Sequence, residues 1–203
     1  KLRAKRLASS SAADSSTFGN DGSLENSPVW TTGFLGQALR FGGTRLVSVP
    51  DAPSLDFGTG NFSLSAWILS DSTGAHQAII HKGVYSLYKQ DTGRLTFFTP
   101  GCGILISAGD VTVGSWHHAL VRRMGSTVSL YLDGQLTGTG SCSDDLTDAT
   151  SVGLGCEEAS CADPFDGIID DAIVTEAATS DPVNEFCAGN VLAGVEPPAA
   201  TCL

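Results

Sequence analysis

The chain has 203 residues, 41% of them hydrophobic, and a formal net charge of −11. That hydrophobic share supports a folded core, and the acidic balance, which repels phosphate backbones, argues against nucleic acid as a partner. No apolar run is long enough to cross a bilayer as a helix, so membrane insertion is not expected. Four of the basic residues (Lys1, Arg3, Lys5 and Arg6) crowd the N-terminus. No apolar stretch follows them, so they are not an intact signal peptide. A secreted chain would have lost its signal or be an excised fragment.

In chain order, the first feature is DSSTFGNDGSL at 14–24. It concentrates Asp14, Asn20 and Asp21 among glycines, as a metal-binding loop or an Asx-rich turn would. Counted from Asp14 it mimics an EF-hand, but Phe18 fills a ligand position, Asp21 replaces an apolar residue and no helices flank it. Runs of alternating apolar residues then predict strands over 37–41, 44–49, 62–70, 78–82, 85–90, 94–99, 116–123, 127–132, 151–154 and 167–175. Asp91-Thr92-Gly93 and Asp133-Gly134 read as hairpin turns. Ser180, Pro182 and Gly189 mark the cap, first turn and end of one short helix. The tail GVEPPAATCL reads as an extension or linker. Many strands with tight turns and little helix predict an all-β sandwich or barrel.

Six cysteines at 102, 142, 156, 161, 187 and 202 lack metal-site spacing. The even count favours three disulfides and an oxidising compartment. Sequence alone leaves fifteen pairings, of which we expect Cys102–Cys142, Cys156–Cys161 and Cys187–Cys202. Catalytic patterns are weak. Glu157-Glu158 are adjacent in a cysteine-bounded loop, and Asp166, Asp170 and Asp171 lack a third acid at alternate spacing. No GxSxG elbow occurs. His117-His118 at a strand start read as packed residues. Sugar binding needs an aromatic platform with a few polar groups. Strand parity turns Trp67, Tyr88, Phe98, His118, Arg122 and Tyr131 away from the core, so these six are the expected lining of one groove.

FSLSAWI, YSLYKQDTGRLTF, GSWHHALVRRMGSTVSLYLDGQLTG and FDGIIDDAIV follow in that order, after ADSSTFGNDGSL and GFLGQALRFGG. Together they resemble the LamG-like jelly-roll domains of the concanavalin A-like lectin/glucanase superfamily. The resemblance implies a two-sheet antiparallel jelly-roll sandwich over 1–189 with one short C-terminal helix, and an extension at 190–203. It implies a secreted or cell-surface location and a bound calcium. The 14–24 loop would lie against the last strand, with Asp14, Asn20, Gly22 and Asp170 as the calcium set. The glucanases of the superfamily carry ExDxxE on one strand, and this chain has none. The expected function is a non-catalytic carbohydrate-binding module whose partner is a glycan. The alternatives are a laminin G-like adhesion module that binds a cell-surface protein, and a glycoside hydrolase.

Overall fold

Period-two alternation gives each strand one apolar face, and that face must find a partner. The computed structural model describes residues 5–8, 10–157, 160–178 and 182–193. In chain order the strands are β1 (Lys5–Ala8), β2 (Ser11–Ala13), β3 (Gly22–Glu25), β4 (Val29–Thr32), β5 (Gln37–Phe41), β6 (Leu46–Val49), β7 (Phe62–Ser70) and β8 (Gln77–Lys82). There follow β9 (Tyr85–Lys89), β10 (Arg94–Thr99), β11 (Gly103–Asp110), β12 (Trp116–Met124), β13 (Thr127–Leu132), β14 (Gln135–Ser141), β15 (Val152–Leu154) and β16 (Gly167–Thr175). One helix, α1 (Pro182–Ala193), closes the described chain.

The strands form two antiparallel sheets, a jelly-roll sandwich. The nine-stranded sheet runs β1-β2-β3-β6-β15-β8-β9-β10-β11, and the seven-stranded sheet runs β14-β13-β12-β7-β16-β5-β4. Phe62, Leu64, Ala66 and Ile68 of β7, with Ala119 and Val121 of β12, meet Val47, Ile80, Leu87 and Phe97 of the other sheet in one core. The turn at Asp133-Gly134 has positive φ at both residues (53° and 74°), as a two-residue type I′ hairpin requires. Cys102–Cys142 joins the β10–β11 turn to the end of β14 and so ties one sheet to the other. Cys156–Cys161 closes a short loop. Cys187 is also disulfide-bonded, and Cys202, its expected partner, lies outside the described residues.

Among the described residues three cations are fully buried, Lys82, Lys89 and Arg123, and the first and last of them are held by oxygen acceptors. Lys82 is 0% exposed, and its Nζ meets carboxylates of Asp51, Asp56 (3.0 Å) and Asp148 (3.6 Å). Arg123, also 0% exposed, donates to the carbonyls of Gly60 (2.7 Å), Asp144 (2.8 Å) and Gly58 (2.6 Å), and its guanidinium lies over the Phe62 ring.

The structure adds β1 to β4, β11 and β14 to the expected strands. Most of these are short, or rich in glycine and polar residues, so their apolar pattern is too brief or too sparse to mark a strand, and β11 and β14 are sheet edges. The helix also continues past Gly189, the expected stop, so the expected boundary at 189–190 falls inside it. A Cβ at Gly189 would sit 2.8 Å from the Trp67 ring, so this glycine serves close packing rather than termination. Ser180, the expected cap, lies outside the described residues.

Candidate functional site

The expected calcium residues are distributed as follows. Asp14 lies in the β2–β3 loop of the nine-stranded sheet. Its carboxylate accepts from Ser16 N (2.7 Å), Ser16 Oγ and Asn20 N (2.9 Å). Burial works against the charge, and these donors outweigh it, so the Asp14 carboxyl is held below its usual range. The Asn20 amide donates to Ser54 Oγ (2.9 Å), and Gly22 is a residue of β3 against Val47. Asp170 belongs to the other sheet, cross-strand from Trp67, and accepts from Leu35 N (2.7 Å) and Asp171 N (2.8 Å). These surroundings supply N–H and O–H donors rather than a cage of oxygens, and do not fit one calcium shared by Asp14 and Asp170. The expected result is an unchanged melting temperature in calcium and in EDTA. A calcium-dependent rise of several degrees would overturn this.

Asp170 is 5% exposed. Burial pushes its carboxyl up to about 6, and the Leu35 and Asp171 N–H groups offset only part of that. With the folded value above the ordinary 3.8, the folded state binds this proton more tightly than the unfolded state. The Asp170 contribution to stability therefore falls as pH rises from about 4 to about 6. Asp170→Asn keeps an acceptor for Leu35 N and should flatten this limb in urea titrations across that window. An unchanged pH profile would contradict the assignment.

Four of the six expected groove residues lie on the outer face of the seven-stranded sheet, and this face is covered. Trp67 is only 3% exposed. Phe34 stacks on it with centroids 3.7 Å apart, and Phe186 of α1 packs at 5.6 Å. His118 is buried beside it, with Nε2 3.6 Å from Glu185 of α1. Glu185 also accepts from Ser65 Oγ, so the helix is pinned across the sheet. Tyr131 is buried, and its hydroxyl accepts from Arg122 (2.9 Å), whose guanidinium lies near the same ring. This region is a second packed layer. The expectation of one groove lined by all six residues is therefore corrected. Parity placed each side chain outward, but it does not say which sheet that is or what lies on top.

Tyr88 and Phe98 belong to the outer face of the nine-stranded sheet and stay partly exposed. Tyr88 is cross-strand from Thr96, and Phe98 is two residues further along β10, so the rings occupy diagonal positions. Phe98 also lies between Ser86 of β9 and Ile104 of β11. Ile104 and Ile106 extend the apolar floor and are 56% and 41% exposed. Beneath the rings, the hydroxyls of Ser86 and Thr96 are buried without a hydrogen-bond partner among the described residues.

Polar groups rim this face. His76 packs beside Tyr88 (centroids 5.5 Å) and approaches Asp163 (4.0 Å). His81, cross-strand from Ser86, approaches Glu157 (3.8 Å). Burial pushes the Tyr88 phenol up, its hydrogen bond with Gln90 offsets part of this, and the charges of Asp163 and Glu157 add to it. Sequence reasoning missed His76, His81, Glu157, Asp163, Ile104 and Ile106. The apolar run Ile104-Leu105-Ile106 was the one local sign, and the rest are groups that only the fold brings together.

A laminin G-type family model, described as the concanavalin A-like lectin/glucanases superfamily, matches residues 41–183. No curated protein matches the sequence. Among solved structures, the fold is similar to the binding domain of Paraclostridial Mosquitocidal Protein 1, with TM-score 0.71 and 14% identity over 90% of this chain and 52% of that one. It is similar to Trypanosoma rangeli sialidase in complex with 2,3-difluoro-KDN, with TM-score 0.68 and 13% identity over 94% of this chain and 32% of that one. It is also similar to domain 4 of AbnA, a GH43 extracellular arabinanase from Geobacillus stearothermophilus, in complex with arabinotriose. There the TM-score is 0.67, with 18% identity over 89% of this chain and 92% of that one. The chain thus spans about half the length of the first and a third of the second. At these identities the likeness is one of fold.

Proposed function

The chain belongs to the concanavalin A-like lectin/glucanase superfamily, and on that premise we propose that it is a non-catalytic carbohydrate-binding module of a secreted protein. The Tyr88–Phe98 face is its sugar platform. One observation carries this reading. Of the six aromatic and polar candidates, these two rings stay partly open, side by side on one sheet face, with hydrogen-bonding groups around them. Flat rings cover the apolar face of a sugar, and the rim groups fix its hydroxyls. The disulfides support an oxidising compartment. The arabinotriose bound to the similar arabinanase domain supports a glycan partner.

Tyr88→Ala is expected to weaken oligosaccharide binding about tenfold or more in isothermal titration, with little change in melting temperature. Tyr131→Ala is expected to act through stability, because Tyr131 is buried. Unchanged sugar affinity in Tyr88→Ala would remove the platform. Release of reducing sugar from a glycan by this chain would overturn the non-catalytic part.

Exposed Ile104 and Ile106 favour a second reading, a laminin G-like surface that binds a cell-surface protein. A glycan array that stays blank, with loss of cell binding in Ile104→Ser, would select it.

A further inference from the structure

The charges around Tyr88 bear on which sugars can bind, an inference that rests on the carbohydrate-binding reading above. Two carboxylates reach this face from the segment around the Cys156–Cys161 crosslink. Glu157 lies by His81, and Asp163 lies by His76. Both carboxylates act on the Tyr88 phenol. Outward positions of β8 to β11 offer one arginine, Arg94, which is cross-strand from Asp110 and 3.7 Å from its carboxylate. Lys89, two positions along β9 from Leu87, is fully buried and so unavailable to a ligand on this face. Among the described residues, these outward positions hold no unpaired lysine or arginine to receive an anion.

We infer that Glu157 and Asp163 select uncharged, hydroxyl-rich oligosaccharides and disfavour sialylated or uronate-bearing ones. A sugar hydroxyl can donate to either carboxylate, and such charge-assisted bonds are stronger than neutral ones. An acidic sugar meets like charge and finds no free lysine or arginine at these outward positions, while the net charge of −11 slows its approach. The face thus combines an attraction for one class with a repulsion for the other.

The test is an array of neutral and acidic glycans, including arabinotriose, lactose and sialyllactose, probed with the intact chain at physiological salt. Hits are then titrated against wild type, Glu157→Gln and the pair Glu157→Gln with Asp163→Asn. Wild type should prefer neutral glycans over their acidic counterparts by about tenfold or more. The double variant should bind neutral glycans about tenfold more weakly and lose most of that preference. Both sites are partly exposed, and Glu157→Gln alone keeps the test open should the pair fold poorly. Equal or tighter binding of sialyllactose than of lactose overturns this inference and leaves the sugar-binding reading intact. Binding of no glycan overturns both.

Discussion

Lys82→Met is expected to lower the unfolding free energy by about 3–5 kcal/mol, the range for breaking a buried ion pair from one side. Methionine keeps the length of the stem, so little cavity forms. What it removes is the ammonium that three carboxylates share. Asp56 and Asp148 are the less exposed of the three and would face each other without a counter-charge. Burial works against the Lys82 charge, but the bonds to Asp51 and Asp56 outweigh it and hold the folded value above 10.5. The stabilisation is therefore fully present at neutral pH and is lost only as pH climbs through that folded value, above 10.5. Urea unfolding of wild type and variant at neutral pH gives the difference. A value below about 1 kcal/mol would mean that the carboxylates simply turn to water.

Arg123→Met is expected to cost a similar amount, about 3–5 kcal/mol, by a different route. Arg123 has carbonyl partners, at Gly58, Gly60 and Asp144, so it binds two loops to β12 through one fork. Removing it strands those acceptors at about 1–3 kcal/mol each where water cannot replace it. Arg123→Lys should rescue little, because one ammonium cannot reproduce the planar fork. Equilibrium denaturation of both variants decides the point. Recovery of wild-type stability by lysine would show that charge, and not fork geometry, matters at this site.

These two residues also mark where the sequence was legible and where it was not. Arg123 follows Ala119 and Val121 at the same parity, so its inward direction could be read. Its three carbonyl partners could not, because they come from residues more than twenty positions away. The sandwich itself was written locally. β5, β7, β10, β13 and β16 have the predicted bounds because each has core-facing apolar residues and clear turn signals. Trp67 shows the limit. It points away from the core as expected, yet Phe34 and Phe186 close over it from a loop and a helix that alternation cannot place. Tyr88 has the same parity signal and stays half-open. Outward direction is a property of a strand, whereas accessibility is a property of the whole chain.

The two described crosslinks close loops of very different span, 40 and 5 residues. By loop-closure entropy the first restrains the unfolded chain by about 4 kcal/mol and the second by about 2. The longer one therefore acts mainly as a brace for the fold. The shorter one contributes less to holding the sheets together; Glu157 lies inside the loop it closes and Asp163 two residues beyond it. Oxidation state thus bears on two separable properties. One bond chiefly stabilises the fold, and the other would hold the segment whose charges are proposed to choose the ligand.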